Sequence, residues 1–184
     1  MSALVYLGVA ALALLVLSVV VLYNKLVTVR NRIDESWSNV DTELKRRHDL
    51  VPNLVAAVQG YAAHERALLA DLARLRAEAL ASRDATPARM AAEREMVGAL
   101  GRLVAVAEAY PQLKASDSFL QLQRALVDTE DRIQAARRFF NANVRDHNNR
   151  VETLPSSLVA KAFGFRTRGY FELPSLAERV APMV

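Results

Sequence analysis

From Ser2 to Tyr23 the sequence carries no charged side chain, and the first to appear is Lys25. These 22 uncharged, mostly aliphatic residues would reach roughly 33 Å as a helix, enough to cross the hydrocarbon core of a bilayer. A cleaved signal peptide shows positive charge ahead of its apolar run and an Ala-x-Ala-like site behind it. Here Met1-Ser2-Ala3 precedes the run and Val21-Leu22-Tyr23-Asn24 follows it. A buried core helix would rarely go so far without a polar face, and Tyr6 and Tyr23 stand where interfacial aromatics belong. The segment therefore reads as a retained, single-pass membrane anchor over residues 1–24. Lys25, Arg30 and Arg32 lie just behind it, with only the α-amino group in front, which predicts that the C-terminal bulk stays on the cytoplasmic side of the cell membrane.

The rest of the 184 residues is enough for one modest domain. The absence of Cys excludes thiol catalysis, disulfide staples, Cys-ligated metal centres and a lipidated N-terminal cysteine. Six Gly and six Pro are too few for a turn-rich all-β fold. A net charge of +4 is too small to imply nucleic acid by itself.

Pro52, Pro87, Pro111 and Pro155 divide the soluble part, and between them apolar residues recur at three and four, as amphipathic helices require. The first stripe is Leu26, Ile33, Trp37, Val40, Leu44 and Val51, with Asp41–Lys45 and Glu43–Arg47 set four apart on the side expected to face solvent. Pro52, which lacks a donor and crowds the carbonyl of His48, is expected to mark a helix boundary, either a hairpin turn or a kink in a continuous helix. A second helix is expected from Pro52 to Leu80, followed by the loop Ser82-Arg83-Asp84-Ala85. A third starts at the Thr86 cap before Pro87, contains Gly98 and Gly101, and stops at Tyr110-Pro111. The fourth opens at Ser118 with Gln121 in capping-box spacing and carries Phe119, Leu122, Leu126, Ile133, Phe140, Val144, Val151 and Leu154. The expected fold is all-α: a transmembrane helix, an elongated antiparallel up-and-down four-helix bundle over 25–155, and a short amphipathic helix with a tail over 156–184. Counting helix directions places the segment after Pro155 beside the bilayer, either as an interfacial anchor or as a cap on the bundle end.

Two stretches carry a family resemblance. Ser36-Trp37-Ser38-Asn39-Val40-Asp41-Thr42-Glu43-Leu44-Lys45-Arg46-Arg47-His48-Asp49-Leu50-Val51-Pro52-Asn53-Leu54-Val55 continues into Gln59-Gly60-Tyr61-Ala62-Ala63-His64-Glu65. Ala136 to Phe165 holds Arg137, Arg138, Asn141, Asn148, Pro155 and Phe163-Gly164-Phe165. Both stretches resemble the LemA family. The family's tyrosine–asparagine pairs in the fourth helix appear here as Phe140-Asn141 and His147-Asn148, so those hydroxyls are missing. The resemblance implies a bacterial, membrane-anchored helical bundle with no established reaction. It offers Trp37, Arg46, Arg47, Asp49, Pro52, Asn53, Gly60, His64, Glu65, Arg138, Asn141, Asn148, Pro155, Phe163 and Gly164 as interaction candidates.

The residues themselves supply little chemistry. His64-Glu65 begins like a zinc-protease helix, but the second His is due at position 68, which is Leu. Gly164 to Gly169 has the outer spacing of a phosphate loop, yet Tyr170 and Phe171 occupy the Lys and Ser/Thr places. His48-Asp49 and Asp146-His147 are neighbours that point about 100° apart on a helix. Arg137, Arg138, Arg145 and Arg150 form a strip that Glu130, Asp131 and Asp146 interrupt. The short amides at 141, 143, 148 and 149 are expected to bond neighbouring elements. The expectation is therefore an interaction or scaffold protein with no catalytic residue, metal or cofactor. Its partners would be the bilayer, unidentified proteins and a second copy of itself, but not nucleic acid. The alternatives are an accessory membrane-associated hydrolase using His48, Asp49 or His64, and a peripheral lipid or nucleic-acid binder using the basic C-terminal region.

Overall fold

The computed structural model describes residues 2–62, 64–81 and 86–172. Ala63, the expected loop at 82–85 and the end of the tail from 173 lie outside the described residues. The described chain is helical, with no strand: α1 Ser2–Gln59, α2 Arg66–Leu80, α3 Pro87–Glu108, α4 Pro111–Lys114, α5 Asp117–Glu152 and α6 Ser156–Ala162.

The apolar run forms the first part of α1 with its side chains uncovered: the most apolar stretch has 0% of its residues buried, and Leu4, Leu7, Leu14 and Leu17 are all exposed. There is no break between residues 24 and 25, because α1 passes straight on into the polar sequence.

Pro52 corrects an expectation. It lies inside α1, which continues for seven residues beyond it to Gln59, so neither a hairpin nor a helix end forms there. The physical reason is a substitute donor. A proline at 52 leaves the carbonyl of His48, four residues back, without its helical N–H. Arg76 of α2 donates its Nε–H to that oxygen at 2.8 Å. Pro52 itself faces outward, where its ring displaces nothing from the core. The chain turns later, at Gly60-Tyr61, with Ala62 N–H bonding Val58 O at 2.8 Å.

Other boundaries follow local rules. Thr86 caps α3, its hydroxyl accepting from Arg89 N–H at 3.2 Å, with Pro87 in the first turn. Tyr110, before Pro111, is pushed into an extended conformation. A one-turn helix, α4, then intervenes before α5. Because α5 starts at Asp117, Ser118 stands within it and the Ser118–Gln121 capping box does not form.

The described residues fall into two compact units, one from Met1–Ser36 and Phe139–Tyr170, the other from Trp37–Arg138 and Phe171–Val184. In the second unit a single core draws Val51, Leu54 and Val58 from α1, Leu72 and Leu75 from α2, Met96, Leu100 and Leu103 from α3, Leu113 from α4, and Phe119 and Leu126 from α5. The α5 stripe continues inward through Ile133, Phe140 and Val144, whereas Leu154 lies past the helix end and is exposed. The first unit has a smaller core of Leu26, Val159 and Ala160, covered by Val19, Leu22, Val151 and Phe165. A Cβ at Gly101 would meet nothing within 4 Å, so that glycine serves no close helix contact.

Candidate functional site

The second unit buries a charge cluster. Arg47 has no exposed surface and sits on the stripe of α1 between Leu44 and Val51. Its guanidinium reaches Glu130 of α5 at 2.7 Å and Glu93 of α3 at 2.5 Å. Glu93, also fully buried, is the hub: its second oxygen lies 3.0 Å from His48 Nε2 and 3.8 Å from Arg89 Nε. Arg89 closes the set by pairing with Asp41 and stacking its guanidinium over Trp37, 5.5 Å from the ring centre. Phe171 meets the other side of this arrangement edge-on to Trp37 at 5.4 Å.

Burial works to raise the Glu93 carboxyl, but the hydrogen bond with His48 and the charge of Arg47 outweigh it and hold the group below the ordinary carboxylate value. Burial likewise works to lower Arg47, and the charges of Glu130 and Glu93 overcome it. Each charge is thus kept by the others, which is what a buried ionic cluster needs in order to exist.

This cluster corrects several sequence expectations. Glu43–Arg47 and Asp41–Lys45 are not exposed helix pairs: Arg47 points inward and Asp41 pairs across to α3. Glu130 does not interrupt a surface field, because it is buried under Arg47. Glu93, Arg89 and Glu130 were missed as site residues. The available signal was their position, since 89, 93, 96 and 100 form one α3 stripe and 126, 130 and 133 one α5 stripe. A charge at a place where an apolar stripe should continue is a charge that expects a buried partner.

The first unit uses the other motif. The C-terminus of α6 is closed by Gly164 at φ +73°, with Phe165 N–H bonding Ala160 O at 2.9 Å. This six-to-one bond and left-handed glycine make a Schellman cap. It delivers Phe163 and Phe165 to the ring of Tyr23, at 4.8 and 5.8 Å. The following strand-like segment is strapped to α5. Asn148 accepts from Arg168 N–H at 2.8 Å and donates to Arg168 O at 2.9 Å, while His147 Nε2 bonds Arg166 O at 3.0 Å. Asn143 reaches Arg32 O of α1 at a long 3.5 Å. Of these short amides, Asn143 reaches a neighbouring helix, as expected, while Asn148 grips the strap.

Among the remaining candidates, Arg46, Asp49, Asn53, Gly60, His64 and Arg138 are exposed, Glu65 and Asn141 are half-buried, and Pro155 precedes α6 through a cis peptide. His48 is fully buried while Asp49 and His64 face outward, so the trio considered for hydrolysis is not brought into one pocket. Among the described residues no three His, Asp or Glu side chains come together as a metal would require.

The model of the LemA family matches residues 36–184. The chain belongs to the LemA family. Among similar proteins, Magnetosome protein MamQ of Magnetospirillum gryphiswaldense is 28% identical over 189 residues, covering 89% of this chain and 70% of that protein. Magnetosome proteins MamQ 2 and MamQ 1 of Paramagnetospirillum magneticum are each 27% identical over 195 residues, covering 92% of this chain and 72% of theirs. The described residues are helical, and one helix is long and apolar enough to span a bilayer. Both motifs behind the resemblance have structural work in the chain: the first supplies Trp37, Arg47 and His48 to the buried cluster, and the second builds the Schellman cap and strap.

Proposed function

We propose that the protein is a single-pass, membrane-anchored interaction scaffold of the LemA family, with its helical domain in the cytoplasm and no reaction of its own. The observation that carries this reading is the uncovered apolar run of α1, on a helix that later buries Arg47 against Glu93 and Glu130. A helical domain carried by a membrane anchor suits holding partners at a membrane. Lys25, Arg30 and Arg32 directly after the run support the cytoplasmic side. Kinship with proteins named for the magnetosome supports a place at a membrane.

The test has three arms on the full-length chain. Alkaline carbonate should leave the protein in the membrane pellet, and release would remove the anchor. A reporter active only in the cytoplasm, fused after Val184, should give signal, whereas activity of an externally active reporter would reverse the orientation. Crosslinking in intact membranes should yield discrete adducts that disappear when residues 1–24 are deleted. Adducts unchanged by the deletion would show that tethering is not what the interaction needs.

A further inference from the structure

The first unit holds a cleft of about 300 Å³ lined by Arg30, His147, Phe165, Arg166 and Arg168, with the backbone of Gly164 at its rim. Three of these side chains are guanidinium groups, and no carboxylate lines the cleft. Arg168 also touches Asp34 at 3.7 Å, a loose and exposed pair that leaves most of the guanidinium free. His147 is 1% exposed. Its Nε2 is spent on the Arg166 carbonyl, while its Nδ1 is buried without a partner. Three arginines around a cleft with no Asp or Glu among its lining residues make a place that can receive an anion.

Position decides what kind of anion. Arg30 follows Asn24, the last residue of the uncharged run, by six residues or roughly 9 Å of helix. The polar layer on each side of a bilayer is roughly 5–8 Å deep, and helical side chains lean back toward the helix N-terminus, so the guanidinium of Arg30 falls at headgroup level. Phe163 is packed on Tyr23, at the end of the run, yet remains 56% exposed. Leu154 and Leu158, on the same stretch, are 73% and 66% exposed. Phe163 stands on Tyr23, and Leu158 adjoins Val159, which packs with Leu26, Val19 and Leu22, so exposed apolar groups flank the end of the run as side chains immersed in the acyl boundary would. Charge agrees: residues 1–36 and 139–170 hold eight Lys and Arg against four Asp and Glu, so the whole net charge of +4 belongs to this unit.

We propose that the cleft formed by Arg30, His147, Arg166 and Arg168 binds the phosphate of an anionic phospholipid headgroup, with Leu158 and Phe163 seated in the adjoining acyl layer. The site rests on the anchored reading above and adds to it a lipid specificity. The arginines supply forked donors to the phosphate oxygens. The aromatic floor of Phe165, over which Arg30 already lies at 5.6 Å, holds that guanidinium in place.

The experiment uses the full-length protein in nanodiscs containing equal phosphatidylglycerol and phosphatidylcholine, with retained lipid counted by native mass spectrometry after gentle release. Phosphatidylglycerol should be retained in preference. Arg166→Gln, which keeps the backbone carbonyl that His147 uses, and Arg30→Gln should each lower that preference about tenfold. Arg145→Gln and Lys161→Gln, which remove equal charge from the same unit outside the cleft, should leave it unchanged. Melting temperatures of all variants are measured in parallel, and an Arg30→Gln protein that fails to fold leaves Arg166→Gln to decide. Equal retention of the two lipids, or an equal loss from the control variants, would overturn the site and reduce the effect to diffuse attraction. Glycerol phosphate added in detergent serves as the soluble arm: stabilisation by it that depends on Arg166, without lipid preference in nanodiscs, would assign the cleft to a free phosphate ester and overturn the lipid assignment. Loss of preference in a protein that still resists carbonate refutes the cleft alone, whereas carbonate release refutes the anchor.

Discussion

Replacing Arg76 by Met should destabilise the protein only while Pro52 is present. Arg76 lies on α2 and gives its Nε–H to His48 O at 2.8 Å, the one carbonyl of α1 that Pro52 deprives of its helical donor. A hydrogen bond from a charged donor contributes about 1.5–3 kcal/mol. Arg76 is half-buried, so the lower end applies, and Arg76→Met should cost about 1.5 kcal/mol. In a Pro52→Ala background the new amide closes the ordinary i to i−4 bond and Arg76 becomes dispensable. The double-mutant cycle should then show a coupling of about 1 kcal/mol between positions 52 and 76, measured by guanidinium unfolding of the full chain in micelles followed by helical circular dichroism. Additive effects, within about 0.3–0.5 kcal/mol, would mean that Arg76 does not act as the substitute donor and that α1 tolerates Pro52 for another reason.

Glu93→Ala should destabilise by about 3–5 kcal/mol, because it leaves Arg47 and Arg89 buried with one partner fewer; a loss below about 1 kcal/mol, the range of an exposed pair, would contradict the buried cluster. The carboxyl of Glu93 is held below its ordinary value, so its contribution is fully present above the unfolded-state pKa and is lost as pH falls through the lower folded-state value. An acid titration of stability should therefore show a steeper fall in the parent than in Glu93→Gln, and parallel curves would refute the assignment. Gly164→Ala should cost about 1 kcal/mol because its φ is +73°, with the loss read as lower melting temperature and weaker contact quenching between Tyr23 and the segment after α6. Asn148→Ala should raise hydrogen exchange at the Arg168 amide, which donates to the Asn148 side chain, and unchanged protection there would show that the strap is held by other contacts.

The long apolar helix was legible because 22 uncharged, mostly aliphatic residues leave it no polar face. The stripes were legible too: Ile33, Val40, Leu44, Leu126, Ile133, Phe140 and Val144 are buried as periodicity requires. So was the Thr86 cap, whose chemistry is contained in four consecutive residues. Pro52 was not legible, because the donor that rescues His48 O comes from a residue 28 positions away in sequence, and local rules see only the missing amide. The buried cluster was not legible for a related reason. Glu43 and Arg47, four apart, satisfy the rule for an exposed pair, and only the packing of α3 and α5 against α1 turns Arg47 inward toward Glu93 and Glu130.

The two halves of the family motif solve different structural problems. A buried ionic cluster is poor evidence for stability, since apolar residues of the same volume would do as well or better. What it supplies here is register. Arg47 must meet a carboxylate on α3 and another on α5 together, and a slip of either helix by one turn, roughly 5.4 Å, would strand a charge in the core. Apolar stripes alone would tolerate such a slip, because Leu and Val at three-and-four spacing present nearly the same surface one turn on. The Schellman cap and the Asn148 clamp act in the same manner on the other unit, fixing where Phe163, Phe165 and the arginines of the strap come to rest against α1. In this chain the polar residues of the motif fix helix offset in one unit and strap position in the other.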